Sequence, residues 1–156
     1  MKFRLLAVGT RMPSWVDTGV LEYTRRLPAD FALQIHQVPL ARRGKSIGVA
    51  QALDREAAAI EARLEPGDYL VALDVEGRKF DTRGLADRLD RLRSAGSSVA
   101  LLVGGPDGLS PALMDRAAER WSLSDLTLPH PLVRIVLAEQ FYRAWTLLNN
   151  HPYHRE

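Results

Sequence analysis

Three stretches of this 156-residue chain carry residues that could do chemistry. The first is Gly104-Gly105-Pro106-Asp107-Gly108, which follows the apolar run Val99–Val103. Each glycine removes a side chain and lets backbone approach a ligand closely. The stretch is neither G-x-G-x-x-G nor a P-loop, because the Lys-Ser/Thr pair is missing. A structural turn accounts for it as well as a ligand loop does. Ser110 is followed by Pro111 and lies outside any G-x-S-x-G setting, so it reads as a helix cap and not as a nucleophile.

The second group is the histidines. His130 lies between Pro129 and Pro131, and His151 and His154 stand near the end of the chain. Histidines meeting at one site can hold a metal, but no H-E-x-x-H spacing accompanies them, and no metal is expected. Taken singly, each reads as a hydrogen-bonded or surface side chain. The third stretch, Asn149-Asn150-His151-Pro152-Tyr153-His154-Arg155, is polar, aromatic and basic directly after an apolar helix. A fraying terminus rarely needs that composition, whereas a lid or a dimer-interface site would use it. Trp121, Phe141, Tyr142 and Trp145 are first of all core or interface material.

The elements that must position these residues alternate. Phe3–Val8 reads as a strand, residues 13–27 as a helix with Val16, Val20, Tyr23 and Leu27 on one face, and residues 32–38 as a second strand. Residues 41–46 form a loop, and Ala50, Leu53, Ala57, Ile60 and Leu64 repeat as one amphipathic helix face. A strand over 69–73 delivers Asp74 at its end. Thr82 is the expected N-cap of a helix closed by Gly96, and Val99–Val103 is the most apolar strand. A fifth strand is expected over 121–128, and a last helix from Leu132 to about Asn149. This order predicts an α/β fold over residues 1–156 as one domain, a mostly parallel sheet with helices on both faces. Ligands of such sheets sit at the carboxyl ends of strands, which points to Asp74, Gly104-Gly105 and the segment after Leu123.

Composition narrows the class. Hydrophobic residues make up 46% and charged residues 26%, the balance of a globular chain and not of a disordered or collagen-like one. With no cysteine, disulfides, thiolate metal sites and cysteine nucleophiles are excluded together. No apolar stretch approaches the ~20 residues that span a bilayer, and the first nine residues read as a strand, so a cytoplasmic protein is expected. Residues 1–45 carry eight Lys/Arg against three acids, although the whole chain has a formal charge of only +2. Phosphate contacts depend on local charge, so this third suits a polyanion face; a solvated surface accounts for it equally.

Several strings together resemble the RlmH (YbeA-like) methyltransferases of the SPOUT class. They are Ala7-Val8-Gly9-Thr10 with Met12-Pro13, and Leu102 through Ser110 around the glycine loop. Trp121-Ser122-Leu123-Ser124, Leu126-Thr127-Leu128-Pro129-His130, Tyr142-Arg143-Ala144-Trp145 and His151-Pro152-Tyr153-His154-Arg155 continue the likeness to the end of the chain. The stretch 41–64 resembles the family least.

The resemblance implies an enzyme that methylates N3 of a pseudouridine in large-subunit (23S) ribosomal RNA, on assembled ribosomes, using S-adenosyl-L-methionine. It also implies a homodimer and a C-terminal trefoil knot, a feature no sequence pattern would propose. Cofactor contacts carry over to Leu73, Gly104, Gly105, Ser124, Asp125, Leu126, Thr127, Leu128 and Pro129. RNA contacts are expected from Arg42, Arg43, Lys45, Arg134, Arg143 and Arg155, and a dimer face from Leu132, Ile135, Val136 and Trp145. N3 of a uracil-type ring is a poor nucleophile until it loses its proton, so a base or an anion-stabilising cation is needed. His154 and Tyr153 are the candidates for the first, and Arg143 or Arg155 for the second. Without the resemblance, a nucleotide-binding α/β domain or a non-catalytic RNA-binding α/β module fits the same residues.

Overall fold

The computed structural model describes residues 2–155, with the Arg155 side chain outside that description. Five strands form one sheet in the order β2-β1-β4-β3-β5, every neighbouring pair parallel. They are β1 Phe3–Val8, β2 Leu33–Val38, β3 Tyr69–Lys79, β4 Val99–Val103 and β5 Glu119–Ser122. Parallel neighbours need a crossover between them, and helices supply it. These are α1 Ser14–Thr24, α2 Val49–Glu61, α3 Thr82–Ala95 and α4 Pro111–Arg116. A long helix α5, His130–Leu148, closes the fold and leads into a 3-10 turn at Pro152–Arg155.

Side chains alternate across each strand, so β1 and β4 feed two cores at once. Phe3, Leu5 and Ala7 pack with Leu101 and Val103 beneath α3 (Leu85, Leu89) and α5 (Leu137, Phe141). Leu6, Val8, Ala100 and Leu102 face the other way, beneath Ile60 of α2 and Leu113 of α4. The two central strands are therefore apolar without interruption, apart from the buried Arg4, which pairs with Asp68. α1 lies on the outer side of α5, with Val16 and Val20 against Ala138. No described helix is long and apolar enough to cross a membrane.

Most elements fall where the sequence places them, and the departures have local causes. The fifth strand stops at Ser122 and does not reach residue 128. There Ser122 Oγ donates to Ser124 O at 3.1 Å and Ser124 Oγ accepts from Leu126 N at 2.9 Å, so serine side chains capture the backbone in a turn. β3 runs on to Lys79, past a bulge in which Leu73 and Arg78 both oppose Trp121. Asp81, not Thr82, caps α3, its carboxylate accepting from Gly84 N at 2.7 Å. α5 starts at His130, one turn's edge earlier than Leu132, because Pro131 fits the first helical turn. Ser110 caps α4, its Oγ accepting from Leu113 N at 3.2 Å.

Phe141 closes the α5 side of the core. It is fully buried, edge-on to Phe3 at 5.1 Å and tilted against Phe31 at 6.1 Å. Replacement by alanine leaves a cavity beside the Phe3 and Phe31 rings, and Phe141→Ala is expected to cost about 3–5 kcal/mol. Urea unfolding of the two proteins measures it; a loss below about 1 kcal/mol is the magnitude of an ordinary surface change and would contradict this packing.

Candidate functional site

Two strand ends build the floor of the site. β1 ends in Gly9 and β4 in Gly104-Gly105, side by side in the sheet. Gly9 has φ 123°, a conformation side chains avoid, and its N–H donates to Val38 O at 2.7 Å. At Gly104 a Cβ would lie 2.3 Å from the Gly108 carbonyl carbon, so only glycine lets the loop fold back on itself. Gly108 N then donates to Gly105 O at 3.0 Å and tightens the turn.

The first turn of α5 ties these ends together. His130 Nδ1 lies 3.0 Å from Gly104 O; a carbonyl only accepts, so the proton sits on Nδ1. His130 Nε2 in turn accepts from Arg134 Nε at 3.1 Å, and Arg134 Nη2 donates to Gly9 O at 2.6 Å. Burial, then the Arg134 charge, push the imidazole pKa below the usual histidine range, while the Gly104 bond opposes them. His130 is therefore a neutral strut with both nitrogens engaged.

Above this floor lies a cavity of about 610 Å³ at the carboxyl ends of β1 and β4. That volume is typical of a cofactor or small-molecule site. Val8, Met12, Leu40, Val103 and Val133 give it apolar walls, Leu73, Asp74 and Val75 of the β3 bulge form one side, and residues 121–124 and 126–128 form another. Of the expected cofactor contacts, Leu73, Gly104, Gly105, Ser124, Leu126, Thr127 and Leu128 come together around this one space. Asp125 does not join them: it points outward to Lys79. Pro129 is the N-cap residue of α5 and also stays out of the lining.

The expected RNA contacts separate. Arg42 and Lys45 are exposed. Arg134 is not: it is 1% exposed and spent on Gly9 and His130, so it braces the fold and offers no cation to a phosphate. Arg43 is also committed, with Nε donating to Asp107 at 2.8 Å and Nη2 to Glu56 at 3.1 Å, which clasps the glycine loop to α2. Those two carboxylates raise its pKa further. The Arg155 side chain lies outside the described residues.

The candidate catalytic residues form a second cluster, on the far part of α5. Glu139 gathers two of them: Arg143 Nε donates to Glu139 Oε1 at 2.9 Å and the Tyr153 hydroxyl donates to the same oxygen at 2.9 Å. Tyr153 packs edge-on to Tyr142 at 4.6 Å, under the Arg143 guanidinium at 5.0 Å. Burial first, then the Glu139 carboxylate, push the Tyr153 pKa well up, so this hydroxyl is a donor and a poor base. His154 Nδ1 is buried and finds no partner among the described residues. None of Arg143, Tyr153 or His154 lines the cavity of its own chain. Of the expected dimer face, Leu132 is exposed and Val136 half-buried, but Ile135 packs on Gly19 of α1 and Trp145 stacks on Tyr142 at 6.0 Å.

Glu139 and the His130–Arg134 pair were not read from sequence as partners. Both are i,i+4 pairs on one helix face, the spacing that could have flagged them. Among the described residues, no group of three His, Asp or Glu side chains is placed to share a metal ion.

Comparison with known proteins adds the family. The sequence model described as "Predicted SPOUT methyltransferase" matches residues 1–154. The chain is 57% identical over 155 residues to the "Ribosomal RNA large subunit methyltransferase H" of Chromohalobacter salexigens, covering 99% of this chain and 100% of that one. It is 53% identical to the protein of the same name from Pseudomonas paraeruginosa, over the same shares. Among solved structures, a probable methylase family protein from Haemophilus influenzae superposes with a TM-score of 0.57 at 13% identity. That superposition covers 97% of this chain and 69% of that one, a likeness of fold.

The His130 strut sets a pH dependence. Its folded-state pKa lies below the unfolded value near 6.5, so its stabilising contribution is complete above that pH and falls as pH drops toward the folded value. His36, also lowered mainly by burial, adds a slope of the same sign. His130→Asn is expected to lower the melting temperature at pH 7.5 and to flatten, without abolishing, its fall between pH 6.5 and 5. Equal slopes in the two proteins would remove His130 from this account.

Proposed function

The chain belongs to the SPOUT methyltransferase family, and from that premise we propose that it transfers a methyl group from S-adenosyl-L-methionine to large-subunit ribosomal RNA. The observation that carries the reading is the likeness over the whole length to relatives named as ribosomal RNA large subunit methyltransferases. In its finer form, the acceptor is N3 of a pseudouridine on the assembled ribosome, and such a substrate places the protein in the cytoplasm. The trefoil knot belongs to the same reading. Its two loops would pass each other where His130 meets Gly104.

The residues present fit a nucleoside cofactor. Leu73, Leu126 and Leu128 offer apolar walls to a flat base, and Gly104 and Gly105 let a ligand approach the backbone with no side chain of their own in the way. When bound, the cofactor supplies an electrophilic methyl group on a sulfonium. The protein's task is then placement, since an in-line displacement depends on distance and angle more than on side-chain chemistry.

The acceptor nitrogen must lose its proton. With Tyr153 held as a donor to Glu139, His154 is the better base, and Arg143 with Arg155 would stabilise the resulting anion. Arg143, Tyr153 and His154 lie outside the cavity of their own chain, which supports a homodimer in which the tail of one subunit serves the cavity of the other. Exposed Leu132 with Val136 on α5 suits such a face. Arg42 and Lys45 from both subunits would pool a basic surface on the RNA, whose affinity then falls with salt.

Calorimetry beside light scattering tests the reading: saturable binding of S-adenosyl-L-methionine by a particle twice the 17.4 kDa chain mass is expected. Removing residues 153–156 should leave that affinity unchanged and reduce methyl transfer to ribosomal RNA by about 10²-fold or more, the scale of a lost general base. Salt-sensitive RNA binding without any cofactor binding would instead identify an RNA-binding module. Full activity in the truncated chain would sink the role given to the tail.

A further inference from the structure

Among the described residues, Asp74 is the one carboxylate in the cavity wall. The other ionisable lining group is His130, and both its nitrogens are engaged with Gly104 and Arg134. Asp74 sits in the bulge of β3, directly after Leu73, where the strand leaves its ladder with β5. Its side chain is half-buried, and its Oδ1 receives a long 3.4 Å contact from Glu76 N within the same turn. The two cations near in sequence are engaged elsewhere, Arg78 over the Phe80 ring at 4.5 Å and Lys79 with Asp125. Among the described residues no cation pairs with Asp74, and a carboxylate left so in an apolar pocket is an unbalanced charge that a cationic ligand balances.

We propose that Asp74 is the counter-charge that makes this cavity favour the positively charged sulfonium nucleoside over the neutral thioether left after methyl transfer. The inference rests on the methyltransferase reading and deepens it. In the transfer, the S–CH3 bond breaks with its electron pair kept by sulfur, an N–CH3 bond forms, and the N3 proton passes to a base. The nucleoside therefore loses one positive charge and otherwise keeps its adenine, ribose and amino-acid groups. Apolar walls and backbone hydrogen bonds grip both forms alike. A fixed negative charge in a site of reduced dielectric does not, because its attraction to the sulfonium disappears with the methyl group. The same carboxylate thus strengthens capture of the donor and leaves the spent product more weakly held.

The test is calorimetry on the full-length protein with S-adenosyl-L-methionine and S-adenosyl-L-homocysteine, titrated separately. Asp74→Asn and Asp74→Ser remove the charge with two different side chains, Asp74→Glu keeps it, and circular dichroism checks that each is folded. Both neutral variants are expected to bind S-adenosyl-L-methionine about tenfold more weakly, about 1.4 kcal/mol, with S-adenosyl-L-homocysteine unchanged. Asp74→Glu should retain most of the preference. Equal weakening of both ligands overturns the proposal, since Asp74 would then hold a group that the two share, such as a ribose hydroxyl. An unmoved ratio overturns it too. Failure of the unaltered protein to bind either nucleoside removes the methyltransferase reading itself, and this inference with it.

Discussion

The site depends on one short chain of hydrogen bonds, from Gly104 O through the His130 ring to the Arg134 guanidinium and on to Gly9 O. It joins the ends of the two central strands to the first turn of α5. Each end would otherwise leave a carbonyl buried without a donor, at about 1–3 kcal/mol apiece. The pair on α5 answers both carbonyls with side chains one helical turn apart. The spacing of the glycine loops, the direction in which α5 leaves them and the opening between them follow from that arrangement. An arginine buried this deeply is tolerated because two of its nitrogens are satisfied at short range.

The fold was legible in the sequence because its periodicities are unmixed. Phe3–Val8 and Val99–Val103 are apolar throughout, as strands covered on both faces must be, and α2 repeats its apolar residues at helical spacing. What failed to show was contact over long range. The true end of β5 depends on two serine hydroxyls that compete for backbone, and the extension of β3 depends on a partner strand some forty residues away. The site was legible in part for the same reason. Glycines 104 and 105 mark themselves by their absence of side chains. Arg134 looked like a surface cation because charge alone does not report burial, and Arg43 because its acidic partners lie on α2 and in the glycine loop. Charge counts over the first 45 residues thus overstate the cations left free for RNA.

Glu139 explains why the tail has the composition it has. One carboxylate oxygen takes a hydrogen bond from a guanidinium and another from a phenol, and the phenol ring fills the space beside Tyr142. The aromatic residues fold the chain end back onto α5, and the polar ones fix its register there. A segment that would otherwise fray is held in a defined shape.

The bulge of β3 has a consequence for how this protein could diverge. Leu73 and Arg78 share Trp121 as their partner, so Asp74, Val75 and Glu76 have no opposing residue in β5. Their side chains can be exchanged without breaking a rung of the sheet. Drift at Asp74 and Val75, which line the cavity, would retune what it holds while the scaffold stays intact, which makes the bulge a place where descendants of this chain can acquire new ligand tastes cheaply.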